Sequence, residues 1–149
     1  MERIDCLRYE HPRCSFHGGT FTANPISMTA GRATLMILED GRLLSRLNKT
    51  GERIRNDLEK IFQQNDVGVQ VTGLGSLFNT HFTREEVKNA RVASRADKHK
   101  QMDYHLNLLA NGVFLLPTHT GALSTAHSEI DIKQLLGQTE EYARQTQLS

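Results

Sequence analysis

The stretch HGGTFTANPISMTAGRATL, which runs from His17 to Leu35, is the most informative part of the sequence. Its two glycines allow another group to approach the backbone closely, and a threonine hydroxyl follows them. Asn24 is a strong helix N-cap, and Pro25 suits the first helical position because no N–H is needed there. Free N–H groups, a hydroxyl and a helix N-terminus are the parts of a phosphate cradle. The same spacing also suits an ordinary turn before a helix.

Two helices are predicted after this stretch. The first begins at Asn24-Pro25 and ends near Asp40-Gly41, where glycine can adopt a left-handed cap. Apolar residues of this helix spread around more than one of its faces, and such a helix is usually buried on several sides. The second helix carries one apolar stripe, formed by Leu43, Leu44, Leu47, Ile54, Leu58, Ile61 and Phe62.

A pair of strands is predicted next. Val67, Val69 and Val71 alternate with other residues, as expected of a half-buried strand at 67–72. The segment from Leu77 to Phe82 is predicted to be its antiparallel partner. The TGLGS sequence between them, Thr72 to Ser76, lacks a full GxGxxG pattern and is therefore predicted to be a hairpin turn, with a nucleotide loop as the weaker alternative.

The C-terminal half mixes helices with short strands. Residues 84–96 suit a loop with a short helix, and a clearer helix covers about 98–110 before Asn111-Gly112 stops it. Short strands are predicted at Val113–Leu116 and Ala122–Thr125. Ser128 and Asp131 form an approximate capping box for a last helix. The irregular order predicts an α+β fold, with helices packed on one face of a small, mainly antiparallel sheet.

Composition narrows the class of protein. The chain has 149 residues, with 18 Lys plus Arg against 17 Asp plus Glu, which argues against a dedicated nucleic-acid binder. No apolar run approaches the roughly 20 residues of a membrane helix. Residues 1–10 contain no signal-peptide core, so a soluble, cytoplasmic protein is expected. Cys6 and Cys14 are expected to be free thiols, with a disulfide or a zinc site as weaker alternatives, and no metal site is predicted.

Four collinear segments give the sequence a family resemblance. The stretch from His17 resembles the pattern GGT-F-x-x-N-P-x-x-M-x-A-G-x-A-T-L of class III aminotransferases, and glutamate-1-semialdehyde aminomutases most of all. LNKTGERIRNDLEKIF is similar to the family's next helix and VQVTGLGSLFNTHFT to its strand pair. NGVFLLP and LSTAHSEIDI are similar to its closing strand and helix. The resemblance runs from about residue 12 to residue 145.

The resemblance implies a fold-type I enzyme dependent on pyridoxal phosphate (PLP), and this chain resembles the small C-terminal domain. Residues 1–23 would be a lead-in with the cofactor-phosphate and interface motif, and residues 24–149 the α+β domain. In the family, the Gly-Thr pair binds the PLP phosphate of the neighbouring subunit, and the matching positions are Gly19 and Thr20. Phe16 matches an aromatic residue of the neighbour's pocket. Phe16 and His17 are expected either to contact the substrate or to pack at the interface.

The resemblance also implies that the chain is a catalytically incomplete fragment. The family's lysine that forms a Schiff base with PLP, and its aspartate on the pyridine nitrogen, precede the GGT segment. No residue of this chain is therefore predicted to be catalytic. A homodimer, or association with a missing N-terminal PLP domain, is expected, and the substrate class is amino acids. The alternative is a non-catalytic, stand-alone association module.

One segment departs from the aminomutase pattern. PTHTGALSTAH, from Pro117 to His127, is two residues shorter than the family's segment, and Gly121 stands where the family often has a glutamate near the substrate. A related aminotransferase that acts on another amine or amino acid therefore fits the sequence as well.

Overall fold

The computed structural model describes residues 19–147, which form two compact units divided between Gly41 and Arg42. The first unit contains helix α1, Pro25–Leu38, whose N-cap is Asn24 as predicted. Gly41 has φ +68°, and its N–H donates to the Leu38 carbonyl at 3.1 Å. This left-handed glycine ends the helix where it was predicted to end. No residue of α1 is buried.

The second unit contains four helices and three strands among its described residues. In chain order they are α2 Arg42–Gln64, β1 Gln70–Thr72, β2 Leu77–His81, α3 Ala90–Ala93, α4 Lys98–Ala110, β3 Gly121–Ala122 and α5 Glu129–Gln147. The strands form one sheet in the order β1-β2-β3, and both pairings are antiparallel. Helix α2 packs against β1, β2 and α5, and α4 packs against α5. The α+β fold with a small antiparallel sheet is confirmed.

Aromatic side chains occupy the centre of the second unit. Tyr104 on α4 is fully buried, and its ring centroid lies 5.6 Å from Phe62, 5.8 Å from Phe82 and 5.1 Å from Tyr142. The Tyr104 hydroxyl lies 2.8 Å from Thr139 Oγ1, whose own proton is donated to the Leu135 carbonyl at 2.8 Å. Thr139 therefore accepts the Tyr104 proton, and the buried hydroxyl is satisfied.

The β1–β2 hairpin turn is fixed by α2. Arg55 Nη1 donates to the carbonyls of Gly75 and Leu77, at 2.8 Å each. Gly51 faces the same turn, and a Cβ there would lie 2.1 Å from the Gly75 oxygen. The helix can approach the turn this closely because position 51 has no side chain. The turn's carbonyls are used within the fold, which confirms the hairpin prediction.

Some strand predictions were wrong in extent. Val113–Leu116 forms no strand, although its side chains alternate between half-buried and exposed. The Val113 N–H donates to the Leu108 carbonyl at 2.8 Å and closes α4 instead of joining a ladder. The strand predicted at Ala122–Thr125 is only Gly121–Ala122. Likewise β1 is three residues long, so Val67 and Val69 lie before it. Alternation of apolar and polar residues indicates burial on one side, but a strand also needs a neighbouring strand to pair with.

The last helix begins as its capping box predicts. The Ser128 N–H donates to Asp131 Oδ2 at 2.7 Å, and the Asp131 N–H lies 3.4 Å from Ser128 Oγ. The hydrogen bonds that the Ser128 N–H and hydroxyl donate to its carboxylate lower the pKa of Asp131. The buried face of α5 includes Ile132, Leu135 and Tyr142. Within residues 19–147, no helix is long and apolar enough to cross a membrane.

Two glycines in helix interiors should respond to alanine in opposite ways. At Gly137 on α5 nothing lies within 4 Å of an added Cβ, so Gly137→Ala should stabilise the chain by about 0.5–1 kcal/mol. Gly51→Ala should destabilise it by about 1–3 kcal/mol, because overpacking outweighs the gain in helix propensity. Urea unfolding of both variants measures the difference. Equal effects of the two substitutions would contradict the close contact between α2 and the hairpin turn.

Candidate functional site

The segment Gly19–Asn24 forms two successive tight turns. The Thr22 N–H donates to the Gly19 carbonyl at 3.0 Å, and the Asn24 N–H donates to the Phe21 carbonyl at 3.2 Å. Within the second turn, Ala23 has φ +58°, a left-handed conformation that costs free energy for a residue with a side chain. We call residues 19–24 the phosphate-motif turn. Phe16 and His17, together with Cys6 and Cys14, lie outside the described residues.

The N-terminus of α1 has already used its hydrogen-bond donors. Asn24 Oδ1 accepts from the N–H groups of Ile26 at 3.0 Å and Ser27 at 3.3 Å. Pro25 has no N–H, and the Met28 N–H donates to the Asn24 carbonyl at 2.9 Å. The helix N–H groups that the sequence suggested for a phosphate cradle are therefore occupied, and only the helix dipole remains from this end.

The donors that remain lie in the turn itself. Thr20 is exposed, and within residues 19–147 neither its hydroxyl nor the N–H groups of Thr20 and Phe21 have a hydrogen-bond partner. No lysine or arginine occurs between Gly19 and Gly31. One hydroxyl and two N–H groups fit one edge of a phosphate dianion but leave its charge unbalanced. The turn therefore fits PLP phosphate as a contributing edge that needs cationic groups from elsewhere.

Gly19 is constrained mainly by its own turn. A Cβ at this position would lie 3.3 Å from Thr22 Oγ1, which is tight but can be relieved by rotation of the exposed threonine side chain. Crowding within residues 19–147 therefore does not by itself require a glycine at this position.

A second segment of interest is the loop Pro117–Gly121, which we call the PTHTG loop. Thr118 has φ +62°, and its N–H donates to His105 Nδ1 on α4 at 3.0 Å. At the loop's end, Gly121 is buried against the ring of Phe78, and a Cβ there would lie 2.4 Å from Phe78 Cζ. The glutamate that the family often carries at this position has no room here. Any polar contact from this loop must come from Thr118, His119 or Thr120.

A cavity of about 440 Å³ lies beside β2 and α3, and no sequence pattern predicted it. Its polar lining comes from His81, Thr72, Asn79, Asn89, Lys88 and Thr120. His81 Nε2 lies 2.9 Å from Thr72 Oγ1, while His81 Nδ1 has no partner among the described residues. Burial, and secondarily the charge of Lys98, lowers the pKa of His81. Strand alternation alone could have placed His81 opposite the core-facing Thr80 and Phe82.

No group within the described residues has the features of a catalytic lysine or a metal site. All six lysines are exposed, and Lys88 is paired with Glu86 at 2.9 Å. No group of three or more histidine, cysteine, aspartate or glutamate side chains in residues 19–147 is arranged to hold a metal ion.

Comparison with known proteins gives a consistent result at the level of sequence. The family model for class-III aminotransferases matches residues 6–136. Glutamate-1-semialdehyde 2,1-aminomutase of Methanothermobacter thermautotrophicus is 40% identical over 128 residues, which are 85% of this chain and 30% of that protein. The protein of the same name from Thermodesulfovibrio yellowstonii is 36% identical over 121 residues, 80% of this chain and 28% of its own length. The chain thus spans about 30% of these relatives.

Solved structures give the same picture for the fold. An omega-transaminase from Sphaerobacter thermophilus superimposes with a TM-score of 0.78 at 29% identity, over 93% of this chain and 31% of that one. A beta-phenylalanine aminotransferase from Variovorax paradoxus has a TM-score of 0.75 at 28% identity, over 89% of this chain and 31% of that one. Both neighbours therefore contain a segment with this fold within a much longer chain.

Proposed function

The chain belongs to the PLP-dependent class-III aminotransferase family, and we propose that it is the C-terminal segment of an aminomutase or aminotransferase of the glutamate-1-semialdehyde kind. The observation that carries the proposal is the phosphate-motif turn just before the Asn24-capped helix, with an exposed Thr20 hydroxyl and N–H groups that have no partner within residues 19–147. A cytoplasmic location is part of the same proposal.

In this function, Gly19 and Thr20 contact the phosphate of PLP that is bound mainly by another subunit. The Thr20 hydroxyl donates one hydrogen bond to a phosphate oxygen, and the N–H groups of the turn supply others. Gly19 lets the phosphate approach the backbone. PLP, when bound, supplies the electron sink for the chemistry at the amino group. This chain's role is to anchor and orient the cofactor. Because the turn contains no cationic side chain, the charge of the phosphate must be balanced by another subunit, and this supports a role in trans.

The lysine that binds PLP covalently is proposed to come from protein outside this chain. The six lysines here lie on solvent-exposed positions from α2 to α5, and all follow the phosphate-motif turn in sequence. A PLP lysine requires a pocket that desolvates its amine and a carboxylate for the ring nitrogen. None of these exposed positions offers such surroundings.

The proposed substrate is a small amino acid, with glutamate-1-semialdehyde as the first candidate from the relatives' names. The crowded position of Gly121 excludes a glutamate side chain there, so the substrate contacts of this loop must differ from the aminomutase pattern. For this reason another amino donor is the second candidate.

Association with a second copy is proposed to cover α1. Ile26, Met28, Leu35, Met36 and Ile37 are each more than 60% exposed. Burial of one such side chain contributes roughly 1.5–3 kcal/mol, so five of them compare with the whole stability of a small domain, about 5–15 kcal/mol. Exposed apolar surface of this extent is typical of interaction sites.

A non-catalytic association module is the second candidate function. The observation that favours it is the self-contained core from α2 to α5, which is closed without residues of the first unit. The experiments below separate the two functions.

The isolated chain should not bind PLP covalently. After incubation with PLP and reduction with borohydride, mass spectrometry should detect only scattered, substoichiometric labelling, because all six lysines are exposed and lack the pocket described above. Neither glutamate-1-semialdehyde nor an amine donor should be turned over. Stoichiometric labelling of one lysine together with turnover would contradict the proposal that another part of the protein supplies the lysine.

Thr20→Ala should weaken PLP binding in an assembled enzyme. A chimaera tests this by replacing the matching segment of the Methanothermobacter aminomutase with residues 12–145 of this chain. Loss of a hydrogen bond to a charged phosphate costs about 1.5–3 kcal/mol, so the Kd for PLP should rise roughly tenfold or more. Thr22→Ala removes another exposed hydroxyl from the same turn and is the matched control. Equal effects of the two variants would contradict the role of Thr20, and a chimaera unable to bind PLP would favour the association module.

The chain should dimerise through α1. Sedimentation velocity at micromolar concentration should detect a dimer, and Leu35→Glu should shift it to monomer because a charge replaces an apolar contact. Thr34→Glu adds the same charge one position away, on another face of the helix, and should leave more of the dimer intact. A wild-type chain that is still monomeric at about 50 μM would be evidence against this interface.

A further inference from the structure

His105 is a buried histidine whose hydrogen bond is made to the PTHTG loop rather than to a residue of the core. Its side chain is 2% exposed. Nδ1 accepts the Thr118 N–H at 3.0 Å, so the neutral ring carries its proton on Nε2. The Tyr104 ring lies 5.5 Å away on the same helix. His105 is therefore placed between the aromatic core and the PTHTG loop.

Thr118 needs this support because its backbone is unfavourable. A left-handed φ of +62° costs free energy for a threonine, whose Cβ is branched. On the C-terminal side the loop is fixed by β3, where Gly121 and Ala122 pair with Phe78 and Leu77. Within the loop, the His119 ring lies 2.9 Å from the Pro117 carbonyl through Nδ1, which must donate because a carbonyl only accepts. Within residues 19–147, the bond from the Thr118 N–H to His105 is the single hydrogen bond between α4 and this loop, and it is made by the strained residue.

The loop in turn shapes the cavity beside β2. Thr120, two residues after Thr118, contributes to the same cavity lining as His81, Asn79 and Asn89. A change at Thr118 would therefore move a hydroxyl that faces this space.

We infer that His105 is a positioning residue, which fixes the PTHTG loop through Thr118 and thereby sets where Thr120 stands in the cavity. Any effect on the substrate of the assembled enzyme rests on the proposed function, whereas the effect on the loop does not.

The chemistry of the ring makes the hydrogen bond sensitive to pH. Burial lowers the pKa of His105, and no charged group of the described residues contributes to the shift. The titratable and charged groups on the adjoining elements are His119 in the loop, His81 on β2, Lys98, His99, Lys100, Asp103 and Tyr104 on α4, and Glu129, Asp131, Lys133, Glu140, Glu141, Tyr142 and Arg144 on α5. Of these, Tyr104 places its ring against that of His105. Protonated Nδ1 is a donor and cannot accept the Thr118 N–H.

The sign follows from the lowered pKa. At a pH above the pKa of His105 in the unfolded chain, about 6.5, the ring is neutral in both the folded and the unfolded chain. The hydrogen bond then makes its full contribution to stability. As the pH falls below that value, the unfolded chain binds the proton first and stability decreases. When the pH passes through the lowered folded pKa, the ring is protonated in place and the Thr118 contact is lost.

The test is the protection of the Thr118 amide against hydrogen exchange, measured by NMR on the full chain. Protection should be at least tenfold at pH 7 and should fall as the pH is lowered, together with protonation of His105 followed by its ring nitrogen shifts. His105→Phe should abolish the protection. His105→Asn places an amide oxygen near the Nδ1 position and should restore part of it without the pH dependence. His81→Phe, a second buried histidine on β2, is the matched control and should leave Thr118 protected.

Two results would overturn the inference. One is a Thr118 amide that exchanges as fast as exposed amides in the wild-type chain at pH 7, and the other is undiminished protection in a folded His105→Phe chain. In the chimaera, His105→Phe should raise KM for the amino substrate at least threefold more than the Kd for PLP. An unchanged KM with Thr118 protection lost would show that the position of the PTHTG loop does not affect substrate binding, while leaving the PLP proposal untouched.

Discussion

Burial of Tyr104 is the constraint on which the second unit depends. Its ring contacts Phe62 from α2, Phe82 after β2 and Tyr142 from α5, so one side chain joins elements far apart in the sequence. Burial of the hydroxyl without a partner would cost on the order of 1–3 kcal/mol. Thr139 prevents that cost because its own proton is already committed to the Leu135 carbonyl. The orientation of α5 is thereby fixed to that of α4.

Helix α4, which carries Tyr104, also forms hydrogen bonds with the sheet and with the PTHTG loop. One turn before Tyr104, Gln101 Nε2 donates to the Thr80 carbonyl at 2.7 Å and ties α4 to β2. One residue after Tyr104, His105 accepts the Thr118 N–H. Three polar or partly polar side chains of α4 are thus buried, each with a defined partner. Their burial is stabilising only because these hydrogen bonds are made. A helix that is polar inside and bears exposed Met102, Leu106 and Leu109 departs from simple amphipathic patterning.

This departure marks the limit of prediction from sequence. Local signals worked well: the Asn24-Pro25 start, the Ser128–Asp131 capping box and the bounds of α4 are all set by residues within one turn. The hairpin was predictable because alternation and a glycine-rich turn occur together. The strand predicted at Val113–Leu116 was wrong because strand pairing depends on a neighbour distant in sequence, which the alternation of apolar residues does not reveal. Likewise, the roles of Gln101 and His105 depend on Thr80 and Thr118, which lie 21 and 13 residues away. The resemblance supplied Gly19 and Thr20, yet only the structure revealed that Asn24 occupies the helix donors.

The occupied N-terminus of α1 has a consequence for the proposed function. Asn24 holds the first turn of the helix, and two backbone hydrogen bonds connect that residue to Gly19 through Thr22 and Phe21. Because the helix offers no free N–H, the phosphate must be bound by the turn, whose orientation is set by α1. A partner that covers the apolar side chains of α1 therefore also fixes Thr20. Under the proposed function, association and PLP binding share this rigid connection, and each must strengthen the other by the same free energy. The exposed helix and the phosphate-motif turn are then two parts of one interface rather than separate features.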